Sequence, residues 1–468
     1  MSTARRAMQT PANAGVGAPL AARIANSAAA VSLRDLPDEV SDKVKLCLFD
    51  LIGCAFEARD LPWSRQAVQL AERVVEDETG AATVIGSPRA ATYADAAFAN
   101  AVMGHGLVRE DMHSGSISHL GIVVLPTLLA LSQYRRVSGR DFIVAAAIGY
   151  EVGGQIGRAV MDAELARIFR PTGITGPAAA AAGGARLLGL SPDAITSAIA
   201  LGANTTVGFN QWAHTGGSEM FFHAGFAARN AVTAVRLAEL GAFASPSALD
   251  GEAGLFAALG KRAAGSSIEL FKATPEILCV YHKPVPACNF AQTACQAALR
   301  IARERKGAPE QIASIAVRVP RAGMLYPGCN YSGPFAHILQ AKMSIQYNVA
   351  AALIAGGVSE RNFTLLQDRE LNRLIDVTTL EVDDEMTRAY PGQQGAEVAV
   401  REHGGATFRA RLDDVVNATA AQVRERFRAA AQSALGAQRS REIERCIDGL
   451  DQSDDVGRLG TLLRANAG

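Results

Sequence analysis

Residues 173–190 read GITGPAAAAAGGARLLGL. Ala178 to Ala182 and the Gly183-Gly184 pair carry almost no side chain, so a helix through them lets neighbouring helix axes approach closely. The stretch therefore predicts a helix lying deep within a bundle. Working outward, the GxxxG-like run from Gly153 to Gly157 reads the same way; no strand precedes it, so it is not a nucleotide loop. Ser138 followed by Asp141 is a capping-box signature opening the apolar run Phe142 to Val152. Ser191 and Pro192 supply an N-cap and first helical residue for a segment through Leu201. Val40, Val44, Leu48 and Leu51 recur at helical spacing behind Asp38 and Glu39.

The character changes near Cys279. Ile315, Val317 and Val319 alternate as in a half-buried strand from Ser314, and Val377 to Val382 is a second strand. Glu397 to Glu402 and Thr407 to Leu412 flank His403-Gly404-Gly405 as a hairpin would, and a helix from Met343 to Ala355 lies among these strands. From Thr419 helical periodicity returns. The chain thus reads as mostly α with an α+β part: a large all-helical domain of residues 35–279 and 416–468, with an α+β lid domain inserted at 280–415. Residues 1–34 contain no acid and read as a disordered, Ala-rich tail in preference to a transit peptide.

At 468 residues the chain is too long for one ordinary core. Lys plus Arg and Asp plus Glu both number 46, and no basic block is present, so nucleic acid is not an expected partner. No window approaches the roughly 20 apolar residues that span a membrane. The seven cysteines form no CxxC pair, which predicts reduced, mostly buried thiols and argues against a zinc site or iron–sulfur cluster.

Chemistry concentrates in DMHSGSISHLGIVVLP, residues 111–126. Asp111, His113 and His119 sit among turn-forming Ser and Gly ahead of an apolar helix, a setting that can hold proton-transfer groups at a cavity mouth. Arg170, beside the N-terminus of the Ala-rich helix, is a candidate carboxylate clamp. QWAHTGGSEMFFH, residues 211–223, adds His214 and His223 as candidate substrate contacts. Lys283, framed by Pro284 and Pro286 at the expected domain junction, points in a fixed direction. The AKMSIQY segment, residues 341–347, is the weakest of these clusters, since Ile345 and Val349 look like core.

Taken together, CLFDLIG (47–53), the 111–126 loop, FRPTGITGPAAAA (169–181), HAGFAARN (223–230), KPVPAC (283–288) and AKMSIQYNVAAAL (341–353) resemble the MmgE/PrpD family. That family includes 2-methylcitrate dehydratase, cis-aconitate decarboxylase and iminodisuccinate epimerase. The resemblance covers nearly the whole chain and implies a helical domain with an α+β lid, a homodimer and a cytoplasmic enzyme without a cofactor or metal. It implies a di- or tricarboxylate substrate bound between the domains, with Glu110-Asp111-Met112-His113, His119 and Lys283 at the family's site positions. Three departures stand out: Val108 where an acid is usual, Arg170 where histidine is common, and Glu219-Met220 where decarboxylase-like members carry lysine. They point away from cis-aconitate decarboxylation.

The reactions of that family build charge on a carbon next to a carboxylate, which cations must stabilise. Arg170 and Lys283 are the candidates for this. His113 or His119 would be the base, Asp111 would orient it, and the other histidine or Tyr326 would serve as acid. The expected activity is a 2-methylcitrate-dehydratase-like lyase. An epimerase of a dicarboxylate such as iminodisuccinate comes second, and a decarboxylase or a silent binding protein third.

Overall fold

The computed structural model describes residues 17–72, 81–206 and 208–466. Helix accounts for 60% of the chain and strand for 9%, so the fold is mostly α with a small α+β component. The helix Pro171–Leu187 is the hub of the helical part: every residue in it except Arg186 is buried. It packs against Gly139–Val160, Gly121–Tyr134, Pro192–Ala203 and Glu219–Glu239. The glycines explain how one helix can touch four. A Cβ on Gly183 would lie 2.6 Å from the Ala145 carbonyl oxygen, and one on Gly184 would lie 2.7 Å from Leu131 Cδ1. At Gly183 backbone meets backbone, and at Gly184 the Leu131 side chain fills the space a Cβ would take. The expected caps are formed: Ser138 Oγ accepts from Asp141 N–H, and Ser191 Oγ from Ala194 N–H.

A four-stranded sheet runs in the order Thr378–Val382, Ile312–Val319, Ala396–Glu402, Thr407–Leu412. The first pair is parallel and the other two are antiparallel. Val317 stands opposite Leu380 on one side and Val398 on the other, and Ile315, Val317 and Val319 are buried. The helix Gln292–Glu304 covers the Ala396 and Thr407 strands with Ala294, Ala297, Ala298 and Ile301 facing inward. After the sheet, Ala420–Leu435 returns to the helical part and packs on Asp38–Ala58, with the Phe427 and Phe49 rings 5.0 Å apart.

Two local readings differ. Residues 20–30, expected within a disordered tail, form the helix Leu20–Ala30, which buries Leu20, Ala21, Ile24, Ala25 and Ala28 against Pro192–Ala203. Alanines at helical spacing suffice to seat a helix on so small-featured a surface. Residues 1–16 of that tail lie outside the described residues. The helix expected from Met343 is two helices, Ile338–Met343 and Ile345–Ala355, because Ser344 is extended and its Oγ caps Tyr347 N–H. No described helix is long and apolar enough to cross a membrane.

One small element positions the site. Met112–His113 pairs antiparallel with Val280–Tyr281, Met112 opposite Tyr281. This two-residue ladder fastens the loop that precedes His119 to the segment that leads into Lys283.

Candidate active site

Between the loop and the sheet part lies a small, largely apolar cavity whose walls include Val108, Ile117 and Met220, with His119, Arg170 and Tyr326 as its polar groups. Its free volume of about 10 Å³ is that of a single water.

Glu110 organises its polar side. Glu110 Oε1 lies 2.6 Å from His105 Nδ1 and 2.8 Å from His119 Nδ1. His119 Nδ1 also faces the Asp111 carbonyl oxygen at 3.2 Å. Both neighbours of that nitrogen are acceptors, so Nδ1 carries the hydrogen and Nε2 holds the lone pair. His105 is oriented likewise, with its Nε2 accepting from Arg170 Nη2 at 3.0 Å. Burial would raise the Glu110 carboxyl, but the two imidazoles and the Lys283 charge keep it ionised, well below the usual carboxylate range. Burial, with Lys283 adding to it, lowers His119 to about 3. His105 is lowered too, by burial against the pull of Glu110. Both imidazoles are therefore neutral at pH 7.

Two cations converge on this assembly. Arg170 is the N-cap residue of the Ala-rich helix, with Pro171 at its first position, and its own N–H bonds Gly208 O at 2.8 Å. Its guanidinium reaches Tyr326 OH at 2.8 Å, while its Nε is buried without a partner. Gly208 has φ +122°, and a Cβ there would lie 2.9 Å from Arg170 Cβ, so glycine is required for the arginine to sit as it does. Lys283 is fully buried; its ammonium donates weakly, to Ala287 O at 3.4 Å. Burial lowers its pKa although Glu110 opposes the shift. Glu110 Oε2 and His223 Nδ1 are likewise buried without partners. Burial and Arg170 hold His223 at about 4. An unmet guanidinium donor beside a second buried cation makes a site for an anion.

The remaining expected residues lie elsewhere. His113 is not in the cavity wall: Ser116 N–H donates to its Nδ1 at 3.1 Å, and its Nε2 bonds Glu276 Oε2 at 2.6 Å. With both nitrogens engaged, and Arg158 also on Glu276 at 2.8 Å, His113 braces the loop and has no lone pair for a base. The Asp111 carboxylate accepts from Tyr150 OH at 2.5 Å and does not touch an imidazole; the residue orients His119 through its backbone carbonyl alone. His214 is exposed on the short helix Trp212–Thr215. His105 is the site residue that sequence reasoning missed, because it ends an apolar helix, Tyr93–His105, and so looks like core.

Among the described residues, two three-donor clusters exist that sequence spacing did not reveal: His105, Glu110 and His119, and separately His113, Glu276 and Cys279. In each the carboxylate already faces a cation, Lys283 in the first and Arg158 in the second. With Arg170 also bonded to His105, the first cluster is electrostatically complementary to an organic anion and opposed to a divalent cation.

The sequence pattern of the MmgE/PrpD N-terminal domain matches residues 22–265, and that of the MmgE/PrpD C-terminal domain matches residues 285–452. The chain belongs to the MmgE/PrpD family. It is 28% identical to a cis-aconitate decarboxylase-like protein of Aspergillus oryzae, over 92% of this chain and 94% of that protein. Human cis-aconitate decarboxylase is 26% identical over 92% and 91%. Cis-aconitate decarboxylase of Aspergillus terreus is 32% identical over 45% of this chain and 43% of its own.

Proposed function

We propose that the protein is a lyase that acts on a small polycarboxylate by removing a proton next to a carboxylate, as a dehydratase of a hydroxy-polycarboxylate such as 2-methylcitrate. The observation that carries this reading is a neutral His119 with a free Nε2 lone pair at a cavity wall that Arg170 also lines, with the buried Lys283 charge near enough to help lower its pKa. Arg170 and Lys283 would take the substrate's carboxylates and stabilise the enediolate that forms when His119 Nε2 removes the proton. Tyr326 OH accepts from Arg170 Nη1, which leaves its own hydrogen free to donate. Given to the leaving hydroxyl, that hydrogen lets water depart as the carbon–carbon double bond forms. Glu110 would stabilise the imidazolium left behind.

The decarboxylase names of the relatives favour a second reading, cis-aconitate-type decarboxylation. Carbon dioxide loss leaves a carbanion that must be protonated, and imidazoles held neutral are poor donors for that step. The departures noted in the family resemblance also weigh against it: Val108 for the family's usual acid, Arg170 for its common histidine, and Glu219-Met220 for the lysine of decarboxylase-like members.

Incubation of the purified protein with a panel of di- and tricarboxylates in D2O tests the proposal. New conjugated-alkene absorbance without carbon dioxide supports dehydration. Carbon dioxide release establishes the decarboxylase instead, and deuterium uptake without elimination an epimerase. No turnover across the panel defeats the enzymatic reading.

A further inference from the structure

Two of the seven thiols touch. Cys288 Sγ and Cys329 Sγ lie 3.4 Å apart, both side chains are buried, and no other pair of cysteine sulfurs among the described residues is in contact. They come from two turns that are held side by side by one stretch of chain. Cys288 N–H bonds Lys342 O, and Ile345 N–H bonds Cys329 O, each at 2.9 Å. Cys288 itself lines the cavity, as do its neighbours Asn289 and Phe290. Cys329 stands behind it, its N–H bonded to the carbonyl of Tyr326 at 3.1 Å. A disulfide has its sulfurs about 2.05 Å apart, so closing this pair needs an approach of about 1.4 Å between side chains already facing each other.

The surroundings make the two thiols unequal. Burial disfavours a thiolate at Cys288, but the hydrogen bond with Cys329, the Phe290 N–H and the charges of Lys283 and Arg170 outweigh it and lower its pKa. Burial and the neighbouring Cys288 push Cys329 far upward, so it stays a thiol. One sulfur is thus prepared to attack and the other waits beside it to resolve.

We propose that Cys288 and Cys329 form an oxidation site in the cavity wall, where a hydroperoxide small enough to enter converts the thiol pair to a disulfide and weakens ligand binding. The Cys288 thiolate attacks one peroxide oxygen: the S–O bond forms, the O–O bond breaks, and hydroxide leaves with the thiol's proton as water. Cys329 Sγ then attacks the Cys288 sulfenic sulfur: the S–S bond forms, the S–O bond breaks, and hydroxide leaves with the Cys329 proton as a second water. Two thiols and one hydrogen peroxide give one disulfide and two waters. The bond draws Cys288 out of the cavity wall, removes the sulfur that faced Lys283 and ties the adjoining Asn289 and Phe290 to the Tyr326 turn. Disulfide formation does not depend on the reaction the site performs. Its effect on binding rests on the Arg170–Lys283 cavity being the ligand site.

The test treats reduced, full-length protein with hydrogen peroxide, maps disulfides by mass spectrometry of unreduced peptides, and follows citrate binding by calorimetry. The expected result is a Cys288–Cys329 cross-link that forms ahead of oxidation at the partly exposed Cys279 and Cys446, and that citrate slows. Citrate affinity should fall by about tenfold or more and return with dithiothreitol. C329S, with C329A as a second variant should the first fold poorly, should bind citrate as the parent does, form no cross-link and leave Cys288 as a sulfenic acid trapped by dimedone. Cys288 and Cys329 remaining thiols while Cys279 or Cys446 oxidises would overturn the site. A cross-link with unchanged citrate affinity would overturn its effect on binding. Failure of the reduced protein to bind citrate would count against the ligand-site reading, and the cross-link map alone would then decide the thiol pair.

Discussion

Adjacent carboxylates at 110 and 111 meet opposite surroundings, and this gives them opposite chemistry. Glu110 holds two imidazoles and stays ionised, whereas burial raises Asp111 to about 6 despite the hydrogen bond from Tyr150. The folded protein therefore keeps a proton on Asp111 that the unfolded chain, near 3.8, has lost. The stabilising contribution is full below about pH 4 and disappears as the pH rises through 6. Asp111→Asn keeps an acceptor for Tyr150 and removes the buried charge. Chemical denaturation at pH 7.5 should show it more stable by about 1–3 kcal/mol, with a flatter stability curve between pH 4 and 6. Glu110→Gln should instead cut turnover by roughly 10²-fold or more, because it releases His119 from its tautomer, and be less stable at pH 7.5, because the ionised carboxylate that offsets the buried Lys283 charge is gone. Equal losses in the two variants would refute the division of labour. His119→Gln should lose activity on the same scale, and the parent's kcat/KM should show no limb near pH 6.5 from this histidine, which is already neutral above about 3. Activity should also survive EDTA, since Lys283 and Arg170 already balance the Glu110 cluster; loss restored by a divalent ion would refute that. Sequence made His119, Arg170, Lys283 and Tyr326 legible because each stands beside a turn, a proline or a helix start. It did not separate His113 from His119, because the brace that occupies His113, Glu276, lies 163 residues away. Nor did it show that Glu110 rather than Asp111 reaches the imidazole, since alternation along an extended segment leaves the choice to tertiary contacts.

At the scale of elements, local signals served well where the cause of structure is local. Caps at Ser138 and Ser191, the return of helical periodicity at Thr419 and the alternation at Ile315, Val317 and Val319 all mark real boundaries. They failed where packing decides. Leu20–Ala30 has no side-chain cap and few large apolar residues, and is a helix because a facing surface accepts alanine. Ser344 carries two signals at once: it caps the following helix and ends the preceding one, where periodicity alone reads a single helix. The Ala/Gly helix shows how strongly small residues specify position. Gly183→Ala would set a methyl 2.6 Å from the Ala145 carbonyl oxygen, inside contact distance and against backbone that cannot rotate away. Urea denaturation should show a loss of about 1–3 kcal/mol, against the small gain expected from helix propensity alone. Gly208→Ala acts on the site through the same kind of crowding. Its Cβ would press on Arg170 at a φ of +122°, so citrate affinity should fall by about tenfold while the fold persists. An alanine variant with unchanged affinity would show that Arg170 does not hold the ligand.

For the molecule as a whole, the question is how a substrate reaches groups this deeply enclosed. A free volume of about 10 Å³ cannot hold a tricarboxylate, so the walls must separate before anything binds. The walls come from different parts of the fold: His119 and Arg170 from the helical part, Cys288, Phe290 and Tyr326 from the segments around the sheet. Polar bonds between them include Arg170 to Tyr326 OH, Lys342 Nζ to Leu107 O, His282 Nδ1 to the Asp50 carboxylate, and the ladder of Met112–His113 with Val280–Tyr281. Breaking those contacts exposes Lys283 and Arg170 to water, which relieves their buried charge and offsets part of the cost of opening. A dianionic or trianionic ligand reverses that balance by giving both cations a partner in the closed state. Hydrogen exchange should therefore find the amides of 112–119, 288–291 and 326–329 opening far more readily than those of the Pro171–Leu187 helix in the free protein. Saturating citrate should protect the first three segments and leave the helix unchanged. Equal exchange with and without citrate, in a protein that calorimetry shows to bind it, would mean that ligand enters without the walls parting.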